Sequence, residues 1–167
     1  MNFKLNRIGT AWKIVLVFIF FAAGYRTFAA AEYVKVVDGD SLEIGKKRVR
    51  LLEIDAPEYK QYCFDKHKQK YDCGKLSRRF LDDMLKRNGY KLKCHSRETD
   101  RYGRDLAECY VGGKNLNLEM IKAGWAVTYR TENPLYLSAE EQAKKGKKGV
   151  WQGKFMRPEY YRRLHRR

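Results

Sequence analysis

A chain of 167 residues has room for one hydrophobic core, which excludes a two-domain architecture. Its 36 Lys and Arg against 20 Asp and Glu give a net charge of +16, which favours polyanionic partners and excludes polycationic ones. The four cysteines include no C-x-x-C pair, which argues against zinc.

Along the chain, the first 13 residues carry Lys4, Arg7 and Lys13 and no acid; residues 14–23 are an uninterrupted apolar run, and Ala29, Ala30 and Ala31 follow. A basic segment, a short apolar segment and small residues describe a secretory signal peptide, expected to be cleaved before Glu32. The run is too short for a span of about 20 residues, so no membrane span is expected after cleavage. Residues 1–31 hold four basic residues, so their removal lowers the charge from +16 to +12. The protein is expected to be secreted or periplasmic, with an uncleaved signal anchor as the alternative. An even number of cysteines suits an oxidising compartment.

Next comes a hairpin: Val34 and Val36 alternate with polar residues before the turn Asp38-Gly39-Asp40, and Leu42 and Ile44 alternate after it. Residues 47–52 form a strand with Val49 and Leu51 on one face and Arg48 and Arg50 on the other. A polar insertion, residues 59–72, is bracketed by Cys63 and Cys73. Residues 74–87 form an amphipathic helix with Leu76, Phe80, Leu81, Met84 and Leu85 on its apolar stripe, stopped at Asn88-Gly89. Residues 90–95 and 106–111 then read as paired strands. If their turn centres between Arg101 and Tyr102, Cys94 stands opposite Cys109, which selects Cys94–Cys109 and Cys63–Cys73 from three possible pairings. A helix over residues 116–123 is capped by Asn115. A third, starting at the capping box of Ser138 to Glu141, runs to about Lys145. The residues 156–167 form a basic tail in which Arg162, Arg163, Arg166 and Arg167 either extend nucleic-acid contact or are solvated; the solvated tail is the expectation.

Three segments carry chemistry: Asp38-Gly39-Asp40, Arg50-Leu51-Leu52-Glu53-Ile54-Asp55-Ala56-Pro57-Glu58, and Asp100-Arg101-Tyr102-Gly103-Arg104. Carboxylates for a hard cation beside arginines for a phosphate are the minimum kit for metal-assisted phosphodiester cleavage. In this order, over residues 33–151, they resemble the staphylococcal nuclease family, whose pattern runs D-G-D, R-L-L-x-x-D-x-P-E, D-x-Y-G-R.

The resemblance implies an α+β fold: a five-stranded OB-fold β-barrel with three α-helices packed outside, here over residues 32–155. It implies Ca2+ held by Asp40, Asp55 and the backbone carbonyl of Ala56, where the familiar enzyme has threonine; the carbonyl survives that change. Glu58 would activate water. Arg50 and Arg104 would bind the scissile phosphate, and Tyr102 and Tyr129 the bases and sugars. Asp100 and Asn117 are read as structural, Asp38 as a turn residue, and Trp151 as a packing tryptophan. The activity so implied is a calcium-dependent endonuclease on DNA and RNA, single strands preferred, leaving 3′-phosphates and working as a monomer. The alternative is a non-catalytic OB-fold nucleic-acid-binding module. Retention of Asp40, Arg50, Asp55, Glu58 and Arg104 favours the enzyme. A cationic adhesin would explain the charge and leader but not the ordered motif.

Overall fold

The computed structural model describes residues 33–165; the expected signal peptide and its cleavage point lie outside them. Strands β1 (Val34–Asp38), β2 (Ser41–Ile44) and β3 (Lys47–Leu51) form an antiparallel meander. A short strand β4 (Ile54–Asp55) follows, then the small hairpin of β5 (Cys63–Phe64) and β6 (Lys70–Tyr71) and helix α1 (Cys73–Arg87). Strands β7 (Leu92–Thr99), β8 (Asp105–Val111) and β9 (Lys114–Asn115) lead into α2 (Leu116–Lys122). The chain ends through β10 (Val127–Thr128), α3 (Pro134–Lys145), a 3-10 turn (Gly149–Gln152) and α4 (Pro158–Leu164).

The main sheet has six strands: the path β1-β2-β3-β8-β7, with β9 added to β8. The parallel pairing of β3 with β8 joins the two antiparallel halves and sets Arg50 beside Leu106. The architecture is α+β, as expected, but the sheet is not closed among the described residues, and four α-helices stand where three were expected. The added helix is α4, in the segment expected to be a solvated tail.

Alternation places Val36, Leu42, Val49 and Leu51 inside, where they meet Leu81 and Leu85 of α1 and Met120 and Ile121 of α2. A second cluster joins Cys63, Cys73, Val127 and Val150; Trp151 and Phe155, edge to face with each other, pack against it. Helix α1 buries Cys73, Ser77, Leu81, Met84 and Leu85, so Ser77 rather than the expected Leu76 faces inward. The Ser77 hydroxyl donates to the Trp125 carbonyl at 2.7 Å. Helix α3 starts four residues before the expected Ser138. Asn133 accepts from the Leu135 N–H, and Pro134 occupies the first turn, where its missing N–H costs nothing.

Both expected disulfides are present, Cys63–Cys73 and Cys94–Cys109. Cys94 faces Cys109 across β7 and β8. An irregularity at Arg97 then shifts the pairs by one residue, so Thr99 faces Asp105 and the turn centres on Tyr102, one half-step from the expected centre.

Candidate active site

The first carboxylate comes from the β1–β2 turn. Gly39 permits it: a Cβ there would lie 1.9 Å from Ser77 Oγ and 2.9 Å from Ala56 Cβ, so only glycine lets the turn press against α1. Asp40 is buried, and its Oδ2 accepts from the Ala56 N–H at 3.0 Å, which ties the turn to the segment after β4. Asp55 is also buried, held by the β4–β10 pair opposite Val127.

Arg50 reaches both. Its Nη2 is 3.1 Å from Asp40 Oδ2 and 2.8 Å from Asp55 Oδ1, and Nη1 donates to Asp40 Oδ1 at 3.2 Å. Burial works to lower the Arg50 pKa, but Asp40 and Asp55 outweigh it and raise the value above the ordinary one. The guanidinium therefore stays charged.

Glu58 is placed by its backbone. Its N–H donates to Gln61 Oε1 at 3.2 Å, and its carbonyl accepts from the Gln61 N–H at 2.7 Å. Gly74 lies so close that a Cβ would come within 1.8 Å of the Glu58 carbonyl oxygen, so the start of α1 forms the floor beneath this residue. The Cys63–Cys73 bridge fastens the intervening insertion at the same point.

On the hairpin turn, Asp100 grips Arg104: Oδ2 accepts from Nε at 2.9 Å and Nη2 at 2.7 Å, while Oδ1 takes the backbone N–H groups of Tyr102 and Arg104. Burial pushes the Asp100 pKa up, but these donors prevail and hold it below the usual carboxylate value. Tyr102 is 55% exposed, with the Arg104 guanidinium 5.5 Å from its ring centre. Tyr129 follows β10, its N–H on the Glu53 carbonyl and Arg130 5.0 Å over its ring. Asn117 is buried and structural, donating to the Leu52 and Ala107 carbonyls and accepting from the Cys109 N–H.

Arg162 of α4 enters the same cluster, which the sequence reading did not foresee. Its Nη1 lies 2.7 Å from Asp55 Oδ1 and 2.8 Å from Glu58 Oε1, and Nη2 donates to Asp55 Oδ2 at 3.1 Å. Burial alone would lower its pKa, yet the hydrogen bonds to Asp55 and Glu58 raise it. The only sequence signal was the aromatic pair followed by a basic pair in Tyr160-Tyr161-Arg162-Arg163. A cleft of about 1110 Å³ is lined by Asp40, Arg50, Glu58, Tyr102, Arg104 and Arg162 among others, while Asp55 is buried behind Arg50 and Arg162.

Asp38, Asp40, Asp55 and Glu58 bring four carboxylates to the region of two guanidiniums, Arg50 and Arg162. Burial, with Glu58 and Asp40 beside it, pushes the Asp38 carboxyl up to about 6. Burial likewise raises Asp55. These carboxylates are hard oxygen donors, the chemistry that suits a divalent cation, but Arg50 already sits on Asp40 and Asp55. Among the described residues, no three His, Cys, Asp or Glu side chains form a ready cage. The donor set is therefore an open one, with Arg162 already on Asp55.

Fold and site together define a small α+β domain that gathers carboxylates and arginines at one cleft. A family model described as staphylococcal nuclease homologue matches residues 48–153. The chain belongs to that family. Among its relatives, the succinoglycan biosynthesis protein ExoI of Rhizobium meliloti (strain 1021) is 41% identical over 118 residues, 70% of this chain and 61% of that protein. An uncharacterized endonuclease of Haemophilus influenzae is 35% identical over 154 residues, 88% of this chain and 80% of its own length. Endonuclease YhcR of Bacillus subtilis is 32% identical over 133 residues, 70% of this chain but 11% of that protein. The chain thus spans less than two thirds of the first and a small part of the last.

Proposed function

We propose that the protein is a nuclease that hydrolyses phosphodiester bonds of DNA and RNA with calcium as its cofactor, acting as a secreted or periplasmic monomer. The observation that carries this reading is the convergence of Arg50 on Asp40 and Asp55. Family membership and relatives named endonucleases support it.

Asp40, Asp55 and the Ala56 carbonyl are the groups that would hold calcium, which when bound supplies charge stabilisation at the phosphoryl oxygens. Arg50, buried and fixed by two carboxylates, offers preorganised N–H donors to a phosphate without reorganising. Arg104, held in a fork by Asp100, offers a second set from the hairpin turn. Glu58 is the carboxylate that accepts a proton or hydrogen bond from the attacking water. Tyr102, exposed at the cleft, offers a stacking face indifferent to base identity, and Tyr129 a second one. Such contacts favour single strands, whose bases are unpaired, and cleavage would leave 3′-phosphates.

Digestion of single-stranded DNA with calcium, then with a chelator, tests the reading. Cleavage that stops on chelation is expected. Binding without cleavage in saturating calcium would establish the non-catalytic module instead.

A further inference from the structure

We propose that α4 is a wall of the substrate cleft: Arg163 forms a phosphate subsite beside the reacting position, and Arg162 is the bolt that holds α4 there. This rests on the nuclease reading above and adds a site contributed by the C-terminal segment.

The helix is fixed to the domain at several points far apart in sequence. Gln61 Nε2 donates to the Met156 carbonyl at 2.7 Å, and Arg157 donates to the Thr128 carbonyl at 2.9 Å. The Tyr161 hydroxyl donates to the Lys60 carbonyl at 3.2 Å. The strongest tie is Arg162, whose guanidinium is shared between Asp55 and Glu58. A charge-assisted fork to the buried Asp55 and to Glu58 of the cleft fixes the rotation of the helix as well as its position.

That rotation decides what α4 presents. Tyr161, Arg163 and His165 line the same cleft as Arg50, Arg104 and Tyr102. The Tyr161 and His165 rings stack at 4.0 Å, a ready continuation of an aromatic surface. Arg163 is 61% exposed and lies 5.0 Å over the Tyr160 ring; its one ion pair among the described residues, to Glu159, is long at 3.7 Å. An exposed pair of that length contributes little, so Arg163 can exchange it for a phosphate at small cost. Arg162, by contrast, is committed to Asp55 and Glu58. At about 1110 Å³ the cleft exceeds the roughly 300–1,000 Å³ typical of small-ligand sites, so it has space for more than one nucleotide. A single strand lying along it would pass α4.

The test is fluorescence anisotropy of labelled oligothymidylates of two and eight nucleotides, with the full chain in chelator, where cleavage is suppressed. Wild type is expected to bind the octamer more tightly than the dimer. Arg163→Ala should weaken octamer binding about three- to tenfold and leave the dimer unchanged. It should also flatten the slope of log K against log salt by about 0.7, one phosphate contact on a single strand. Arg162→Ala should weaken the octamer as well, and Arg163→Ala in that background should then cost much less than in wild type, because a loosened helix no longer presents Arg163. Arg163 is exposed, so its removal leaves the fold intact and keeps the test decisive even if Arg162→Ala is unstable.

Unchanged octamer affinity and salt slope in Arg163→Ala would overturn the subsite while leaving the nuclease reading standing. Additive losses would overturn the bolt. Wild type that binds the octamer but cleaves nothing in calcium would overturn the nuclease reading alone. Equal competition by polyglutamate would show a non-specific polyanion surface and overturn the subsite.

Discussion

Replacing Arg50 by alanine separates what that residue does for the fold from what it does for phosphate. Arg50 is 13% exposed and bridges Asp40 and Asp55, which are 4% and 1% exposed. Removing one partner of a buried ion pair strands the other charge, at a cost of about 3–5 kcal/mol. Asp55 keeps Arg162, and Asp40 keeps the Ala56 N–H and the Ser41 hydroxyl, so the low end, about 3 kcal/mol, is expected. At about 3 °C per kcal/mol that lowers Tm by roughly 10 °C in chelator. Asp55 already has a raised pKa, so ionising it in the folded protein works against stability: its contribution is greatest below the unfolded value and is lost as pH rises through the folded one. The deficit of Arg50→Ala should accordingly shrink as pH falls through the raised value of Asp55, where that carboxylate protonates in the folded protein. Calcium should restore part of Tm at neutral pH, since a cation replaces the lost positive charge. Turnover in saturating calcium should remain down by about 10²–10³, the usual cost of one preorganised donor. Scanning calorimetry across pH, with and without calcium, beside oligonucleotide digestion, reads all three. Near-normal turnover, or a Tm deficit unchanged at acid pH, would refute the bridge as the working feature of Arg50.

Glu58→Gln keeps shape and removes charge, so turnover should fall about 10²–10⁴ while dinucleotide affinity in chelator changes little; near-normal digestion would end the water-activating role. Calcium should support digestion and magnesium poorly, because Mg2+ demands tight octahedral geometry; equal turnover in magnesium would reject the assignment of Asp40 and Asp55. Cys94→Ala with Cys109→Ala should cost about 3 kcal/mol in denaturant titration, the loop being 15 residues, and an unchanged midpoint would show the bridge is idle. Asp100 has a lowered pKa, so its grip on Arg104 is present above the unfolded value of about 3.9 and lost as pH falls through the folded one. Asp100→Asn should therefore flatten the acid limb of the Tm profile and reduce turnover through a loosened Arg104; an unaltered acid limb would count against it.

Strand alternation, the α1 stripe and the Cys94–Cys109 register were legible because each depends on local periodicity and one turn. The same logic failed where tertiary contacts intervened. Ser77 displaced Leu76 on the buried face because Gly39 brings the β1–β2 turn too close for a larger side chain. The Ser138 capping box reads correctly as a local signal, yet Pro134 after Asn133 starts the helix earlier, which leaves Glu140 free to be buried against the Thr128 N–H and Lys144. The irregularity at Arg97 leaves no mark in hydrophobic pattern, since β7 is exposed there on both sides.

In the site, the motif residues were legible because three short segments carry them; Asp40, Arg50, Glu58, Tyr102 and Arg104 line one cleft, and Asp55 is buried against Arg50 and Arg162. What the sequence hid is the charge balance. Four carboxylates in one place repel, and a basic tail read by composition alone is a solvated face. Only the fold shows that α4 returns to that place and that Arg162 binds Asp55 and Glu58 together. Any cation that uses Asp55 must share it with, or take it from, that guanidinium, because Asp55 Oδ1 already accepts from both Arg50 and Arg162. The occupancy of one carboxylate oxygen thereby links the C-terminal helix to the centre of the site, although the two lie 107 residues apart in sequence.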